Sequence, residues 1–556
     1  MLFRLLITAT LGIYSLSLTA QHTQSLTDQV DRIFQDFDNP KNPGAALAIV
    51  KDSKVLFKKG YGSANLEYNV SITPATPFHV ASVSKQFTAF SILLLEEQGK
   101  LKLSDDIRKY IPELPDFGHK ITLYHLLSHT SGLRDQWNLF LLQGVRPDDV
   151  ITTAHVLNLM AKQQELNFPP GEEYLYCNSG YTLLAETVAR TSGVSFANFI
   201  QKQIFSPLGM KNSQFVDDHE LIIPGRAQSY FSPEGKHYKK RLLNYANPGA
   251  TNLVTTVEDL SNWVLNFKSQ KVGKPPLFKQ FQRLASLNSG KTFGGALGLF
   301  VGEHKGHKLV EHGGADAGFR AQISMFPEID LATIVLSNSA NTDAKDLTLQ
   351  LAELFLDLKE IAPSEKKVGK REFIALSRKQ LKAFEGNYVN KNRGFTRHIY
   401  LKGDSLMHFR TENNESALAP ISATSFKVTN VPPDVVVSFK QQQGELIMTE
   451  TVNGGTPRPL IKFDPKPYKK SDWEQLAGIY WSPELETSYT ISYLDGKLKA
   501  VHNRMGTINL EKVKYDFFLG DRGFFRQLDF VRNEQNEVIG MRITNGRVRN
   551  LWFEKR

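Results

Sequence analysis

The chain has 556 residues, enough for two to four domains at roughly 100–200 residues each. Its 41% hydrophobic and 22% charged residues are those of a folded globular protein and exclude disorder along the whole chain. The formal net charge of +10 comes from Lys and Arg scattered without a basic block. This excludes a nucleic-acid-binding arm and leaves two readings: a solvated, mildly basic surface, or attraction to anionic surfaces and acidic substrates.

In chain order, the first element is MLFRLLITATLGIYSLSLTAQ, in which one Arg precedes an apolar run and small residues lead to Ala20. It reads as a secretory signal over residues 1–20, cut between Ala20 and Gln21, so the protein is expected to be exported, periplasmic or secreted. No later stretch reaches about 18 consecutive apolar residues, and no membrane span is expected after signal removal. The one cysteine, Cys177, excludes an internal disulfide and a zinc site built from cysteines.

Ala45-Ala46-Leu47-Ala48-Ile49-Val50, Lys51-Asp52-Ser53-Lys54 and Val55-Leu56-Phe57 predict a strand, a turn and a strand. From Val83 to Leu95 the apolar Phe87, Phe90, Leu93 and Leu94 fall at helical spacing, and Gly99 supplies a stop. At the start of this helix stands Ser82-Val83-Ser84-Lys85, an S-x-x-K pattern. Positions i and i+3 share a helix face, so a Lys amine there reaches a Ser hydroxyl. A Ser hydroxyl is a weak nucleophile until a base takes its proton, and a helix N-terminus favours the anionic oxygen that results. The same spacing describes a helix cap beside a surface Lys, and Ser364-Glu365-Lys366-Lys367 repeats it in a polar segment.

Leu127-Ser128-His129-Thr130-Ser131-Gly132-Leu133 offers His129 as a base for Ser82, but its turn formers favour a structural loop. Tyr176-Cys177-Asn178 follows Pro169-Pro170-Gly171 and precedes a helix predicted from Tyr181 to Arg190. A Tyr hydroxyl can relay a proton between nucleophile and leaving group, and an Asn amide can hold a substrate carbonyl or steady a Lys. Tyr245-Ala246-Asn247 and Tyr388-Val389-Asn390 share this spacing, and a buried aromatic beside a loop Asn is the structural alternative. Cys177 reads as a small buried hydrophobe rather than a nucleophile. His312-Gly313-Gly314 places a close-approaching backbone with an N–H donor at a strand edge, or else a solvated turn histidine. His304-Lys305-Gly306 reads as a hairpin turn, and Ala321–Phe326 and Leu331–Leu336 as paired strands around residues 327–330.

Residues 361–372, IAPSEKKVGKRE, are polar, basic and broken by Pro and Gly, and read as a linker. Beyond them, short alternating segments rich in Tyr, Phe, Val, Ile and Thr repeat at a constant offset of 92. Gly386, Tyr388, Ile399 and Leu406 match Gly478, Tyr480, Ile491 and Leu498; Glu445, Ile447 and Asn453-Gly454 match Glu537, Ile539 and Asn545-Gly546. Two all-β copies, over 373–465 and 472–556 with a second linker near Asp464 to Ser471, predict two small antiparallel barrels or sandwiches.

Taken together and in order, Ser82/Lys85, Tyr176/Asn178 and His312-Gly313-Gly314 resemble the serine β-lactamase and penicillin-recognising family. The branch is that of class C β-lactamases, D-alanyl-D-alanine carboxypeptidases, esterases and D-aminopeptidases. Pro43-Gly44-Ala45-Ala46, Ala81, the His129-Thr130-Ser131-Gly132 loop, Asn252–Thr256, Asp259-Leu260 and Trp263 add to the resemblance, which covers residues 25–360. It implies an α+β fold, with an antiparallel sheet flanked by helices plus a helical subdomain, ahead of the two β domains. It implies Ser82 as the acylated nucleophile, Lys85 and Tyr176 as general base and acid, and Asn178, His312 and Gly314 as substrate-binding positions. The oxyanion hole would come from the backbone N–H groups of Ser82 and Ala315. Family D-aminopeptidases carry two β-barrels after the hydrolase domain, one of which sends a loop over the site. The stretch Gly520-Asp521-Arg522-Gly523 is the expected counterpart, so deleting residues 468–556 is expected to alter substrate choice.

His312 stands where many members have the Lys of K-T-G, and a His is only partly charged near neutral pH. The expected activity is therefore hydrolysis of D-amino-acid peptides, amides or small esters through an acyl-enzyme. β-Lactam or D-alanyl-D-alanine hydrolysis is the first alternative, and a non-catalytic penicillin- or peptide-binding sensor the second. No metal or nucleotide motif is present, and the expected partner is a small-molecule or peptide substrate rather than nucleic acid.

Overall fold

The computed structural model describes residues 26–356 except 234 and 236, and 372–556 except 391–394, 412, 413, 432, 443, 454–456, 466 and 495. The expected signal peptide, linker residues 361–371 and the second S-x-x-K copy at Ser364–Lys367 lie outside these residues. The chain divides into two compact units. One comprises Met1–Leu133, Pro147–Ala161 and Phe168–Ile361; the other comprises Arg134–Arg146, Lys162–Asn167 and Ala362–Arg556. Among the described residues, no helix is long and apolar enough to cross a membrane.

In the first unit, the elements that position the site are β1 (Ala45–Lys51), β2 (Lys54–Tyr61), β3 (Phe78–His79), α1 (Ser84–Glu97), α2 (Asn178–Ser192), β4 (Leu253–Thr255), α3 (Val257–Ser269), β5 (Phe300–His304), β6 (His307–Asp316), β7 (Phe319–Phe326), β8 (Leu331–Ser337) and α4 (Ala344–Glu353). A six-stranded antiparallel sheet runs β5-β6-β7-β8-β1-β2. Strand β1 is its interior, buried on both faces, which is why its sequence is a continuous apolar run. Ala45, Leu47 and Ile49 share a core with Val30, Phe34, Leu347 and Leu351. The alternate Ala46 and Ala48 face the other way, where α3 packs on β1 and β8.

Helix α1 is buried on every face from Ser84 to Leu95, including the polar Ser84, Lys85, Gln86, Thr88 and Ser91, rather than along a single apolar stripe. Phe87 and Phe90 pack on Trp263 of α3 at 4.3 and 5.1 Å between centroids, and the Trp263 indole N–H donates to Gln86 Oε1 at 3.0 Å. Pinned in this way, α1 presents its N-terminal turn rather than its flank to the site. Strands β3 and β4 pair through His79 and Val254, next to the nucleophile segment.

In the second unit, each repeat is a closed eight-stranded antiparallel barrel, which leaves no free sheet edge. The repeat can be read in atomic detail. Tyr388 donates its hydroxyl to the Phe384 carbonyl at 2.7 Å, and Tyr480 donates to the Leu476 carbonyl at 2.9 Å. Gly386 pairs with Ile399 and Gly478 with Ile491; Leu406 pairs with Leu418 and Leu498 with Leu510. A short helix opens each copy, Arg378–Lys382 and Lys470–Leu476. The end of the segment expected as a second linker packs on the last barrel. Tyr468 packs on Trp473 and Tyr515 at 4.5 and 4.7 Å, and its hydroxyl accepts the Asp516 N–H at 2.6 Å. Gly520–Arg522 close a strand and Gly523 starts the hairpin turn, with Asp521 accepting from the Asn509 side chain at 2.7 Å.

Two segments from within the expected hydrolase sequence belong to this second unit. Arg134, fully buried, donates to Glu484 at 2.6 Å and to the Arg549 carbonyl at 3.0 Å. The helix Gln136–Gln143 continues the contact, with Asn138 donating to Asn545 at 2.9 Å and Gln143 to the Leu485 carbonyl at 2.9 Å.

Candidate active site

Ser82 lies in a single 3₁₀ turn, Ala81–Val83, that runs directly into α1. The residue before it, Ala81, has φ +47°, a left-handed conformation that costs an L-residue about 1–2 kcal/mol. The turn delivers Ser82 Oγ to 3.0 Å from Lys85 Nζ, one helical turn on. Lys85 has no exposed surface, yet its amine is well supplied with acceptors. Nζ donates to Asn178 Oδ1 at 2.8 Å and to the Ala250 carbonyl at 2.6 Å. Those two oxygens only accept, so they fix two N–H directions and aim the remaining valence of Nζ at Ser82 Oγ. This hydrogen bond is the path along which a serine proton can leave.

Asn178 is the first residue of α2 and 5% exposed. Tyr176, two residues earlier, lies with its ring centroid 4.9 Å from Lys85 Nζ. The backbone between them is held by His129, whose Nδ1 accepts the Cys177 N–H at 3.1 Å and whose ring lies 4.2 Å from that of Tyr176. His129 itself has φ +58°, and the adjoining loop ties down the same segment through Leu175 N–H to the His129 carbonyl at 3.0 Å and Gly171 N–H to the Thr130 carbonyl at 2.7 Å. The geometry gives His129 the structural work of a loop clamp. Cys177 is buried and caps α2 by its backbone.

His312 is not in a turn. It lies inside β6 and is 3% exposed, which corrects the turn alternative. Strand β5 begins opposite Glu311, so the β6 backbone from His312 to Asp316 is unpaired by β5 on that side. Gly314 makes the close approach: a Cβ there would lie 2.1 Å from the Val80 carbonyl oxygen. Only a glycine lets β6 run against the nucleophile segment, which brings Ala315 beside the Ala81–Val83 turn. His312 donates Nδ1–H to the Gly313 carbonyl at 2.7 Å, and its Nε2 has no partner among the described residues. Burial, reinforced by nearby Lys85, pushes the imidazole down to about 3 against the opposing Gly313 bond. The expectation of a partly charged His at neutral pH gives way to a neutral one.

Sequence reasoning missed the Ala250 carbonyl, which accepts a hydrogen bond from Lys85 at 2.6 Å. A backbone acceptor leaves no side-chain signature to find. Among the described residues, no group of three or more His, Cys, Asp and Glu is placed to hold a metal.

The chain is similar to D-aminopeptidases of Brucella anthropi, 27% identical over 317 residues covering 57% of this chain and 60% of the relative. It is likewise similar to D-aminopeptidase of Brucella canis, 26% identical over 326 residues covering 58% and 62%. It thus spans about three fifths of the length of these relatives. Two solved structures share the fold. The octameric penicillin-binding protein homologue from Pyrococcus abyssi matches with TM-score 0.53 and 23% identity, covering 79% of this chain and 99% of that one. The D-amino acid amidase from Ochrobactrum anthropi matches with TM-score 0.51 and 20% identity, covering 59% and 98%. The family model described as Beta-lactamase matches residues 30–355, more than half of the sequence, and the chain belongs to the beta-lactamase family.

Proposed function

We propose that the protein is an exported serine hydrolase that cleaves amides and short peptides of D-amino acids through an acyl-enzyme on Ser82. The observation that carries this is the Lys85 amine, fixed by Asn178 and Ala250 and aimed at Ser82 Oγ. Ser82 Oγ attacks the amide carbon while its proton passes to Lys85. The C–N bond then breaks as the leaving nitrogen takes up a proton, with Tyr176 beside Lys85 as the relay. Water adds to the resulting ester, and Ser82 recovers its proton as the acid departs. The backbone N–H groups of Ser82 and Ala315 form the oxyanion hole, and Asn178, His312 and Gly314 line the substrate position.

The relatives' names support the D-amino-acid preference. His312 supports it from the other side. A buried neutral imidazole gives no permanent cation for a substrate carboxylate, which disfavours β-lactams and D-alanyl-D-alanine carboxypeptidase substrates. Small esters remain as a second substrate class, since they need no carboxylate site.

The test is a fluorophosphonate probe with mature protein, followed by a panel of D- and L-amino-acid amides, nitrophenyl esters and a penicillin. Labelling of the wild type and none of Ser82→Ala, with D-amides turned over fastest, is expected. Equal labelling of both proteins overturns the nucleophile, and no turnover on any member of the panel restores the sensor reading.

A further inference from the structure

Three segments meet beneath the site: the β3 residue His79, the loop residue Thr251 and the last β6 residue, Asp316. Their side chains close a ring of hydrogen bonds. Thr251 Oγ1–H donates to Asp316 Oδ2 at 3.1 Å. His79 Nε2 lies 3.2 Å from the same carboxylate oxygen and 3.1 Å from Thr251 Oγ1. A carboxylate only accepts and the threonine proton is already given to it, so Nε2 carries a proton shared between the two oxygens. His79 is 2% exposed and Thr251 3%, and the His79 ring packs on Phe319, the β7 partner of Asp316.

Each member lies within three residues of one backbone group of the site. His79 is three residues before Ser82, Thr251 follows Ala250, whose carbonyl binds Lys85, and Asp316 follows Ala315. Each is also followed within two residues by a non-glycine residue in the left-handed region: Ala81 at φ +47°, two after His79, and Asn252 at φ +75° and Ala317 at φ +47°, directly after Thr251 and Asp316. Such conformations persist only where surrounding structure over-determines them, and the ring of side chains is the structure that these three turns share.

We infer that His79, Thr251 and Asp316 are positioning residues that hold the Ser82 and Ala315 N–H groups and the Ala250 carbonyl in catalytic register. This rests on the proposed acyl-enzyme chemistry. The ring touches no reacting atom. It acts on acylation because a hole misplaced by about 1 Å loses on the order of a hundredfold in rate.

The test compares His79→Phe and Thr251→Val with His79→Gln and Thr251→Ser in the intact chain. Phe keeps the ring volume without the donor, Val keeps the shape without the hydroxyl, and Gln and Ser return the polar atom. The readouts are the rate of fluorophosphonate labelling at Ser82, kcat and KM on a D-amino-acid amide, and the thermal midpoint. The Phe and Val variants should label about 10- to 100-fold more slowly with KM within about threefold, and the Gln and Ser variants should recover most of the rate. A folded Phe or Val variant that labels at the wild-type rate overturns the inference. So does a Gln or Ser variant as slow as its apolar counterpart. If Phe fails to fold, Thr251→Val, which changes one hydroxyl, decides alone. Absence of labelling in the wild type would instead remove the function reading, so the two failures are distinct.

Discussion

The imidazole of His312 is fixed by its neighbour: Nδ1–H points at the Gly313 carbonyl, 2.7 Å away. The ring is therefore locked in the tautomer whose Nε2 is an unprotonated acceptor, in a buried place near Lys85. An unfolded His takes its proton at about 6.5, whereas here the value is about 3. Between these values the unfolded state binds more protons, so stability is fully present above pH 6.5 and is lost as the pH falls towards 3. The slope from this one group is about 1.4 kcal/mol per pH unit. His312→Gln should therefore flatten the fall in thermal midpoint between pH 7 and pH 5. Parallel curves for wild type and variant would show that the site protonates freely.

Asn178 and Ala250 divide the restraint of the Lys85 amine between a side chain and a backbone carbonyl. Only the first can be removed by substitution. Asn178→Leu leaves a buried N–H without its acceptor and frees Nζ to swing from Ser82. The expected result is a fall in kcat of about a hundredfold on a D-amino-acid amide, with a smaller change in KM. A change confined to KM would make Asn178 a binding residue only.

Gly314 is limited by space rather than by its dihedral angles. A methyl group there would lie 2.1 Å from the Val80 oxygen, a rigid backbone atom that cannot step aside. Gly314→Ala should push β6 away from the nucleophile and slow fluorophosphonate labelling by at least about a hundredfold. Gly302→Ala, in β5 with nothing near its position, serves as the control on the same sheet. Equal labelling of the two variants would mean that β6 does not set the hole.

How far the sequence foretold this structure depended on whether side chains or backbone did the work. The barrels were legible because Tyr388 and Tyr480 perform the same local task, each bonding a carbonyl four residues back. The Ser82–Lys85 pair was legible because i and i+3 on a helix meet without help from the rest of the fold. The state of His312 was not, since the same residue in a turn would be solvated; strand register and burial made it neutral. The polar composition of the segment between the barrels also conceals Tyr468, whose ring joins an aromatic cluster. The membership of residues 134–146 and 162–167 in the second unit was equally hidden. Nothing local distinguishes an Arg134 that meets Glu484, 350 positions later, from a surface arginine.

That ion pair makes the last prediction. Arg134 has no exposed side-chain surface and Glu484 has 2%, so neither charge is relieved by water if its partner is lost. Glu484 also accepts the Gln164 N–H at 2.9 Å, joining both inserted segments to one carboxylate. Glu484→Leu leaves the buried Arg134 only the half-exposed Glu165 carboxylate, 3.5 Å away, and should cost about 3 kcal/mol, whereas replacing both Arg134 and Glu484 by apolar residues should cost much less. In the intact chain, Glu484→Leu should lower the guanidinium midpoint of the second unit sharply, and Arg134→Met/Glu484→Leu should recover most of it. These point variants are cleaner than deletion of residues 468–556. That truncation removes Glu484 and Arg549 from Arg134 and the partners of Asn138 and Gln143 at once, so altered substrate choice in it would be confounded by loss of support for the helix Gln136–Gln143. A double variant no more stable than Glu484→Leu would show that the cost lies in lost packing rather than in the poorly compensated charge.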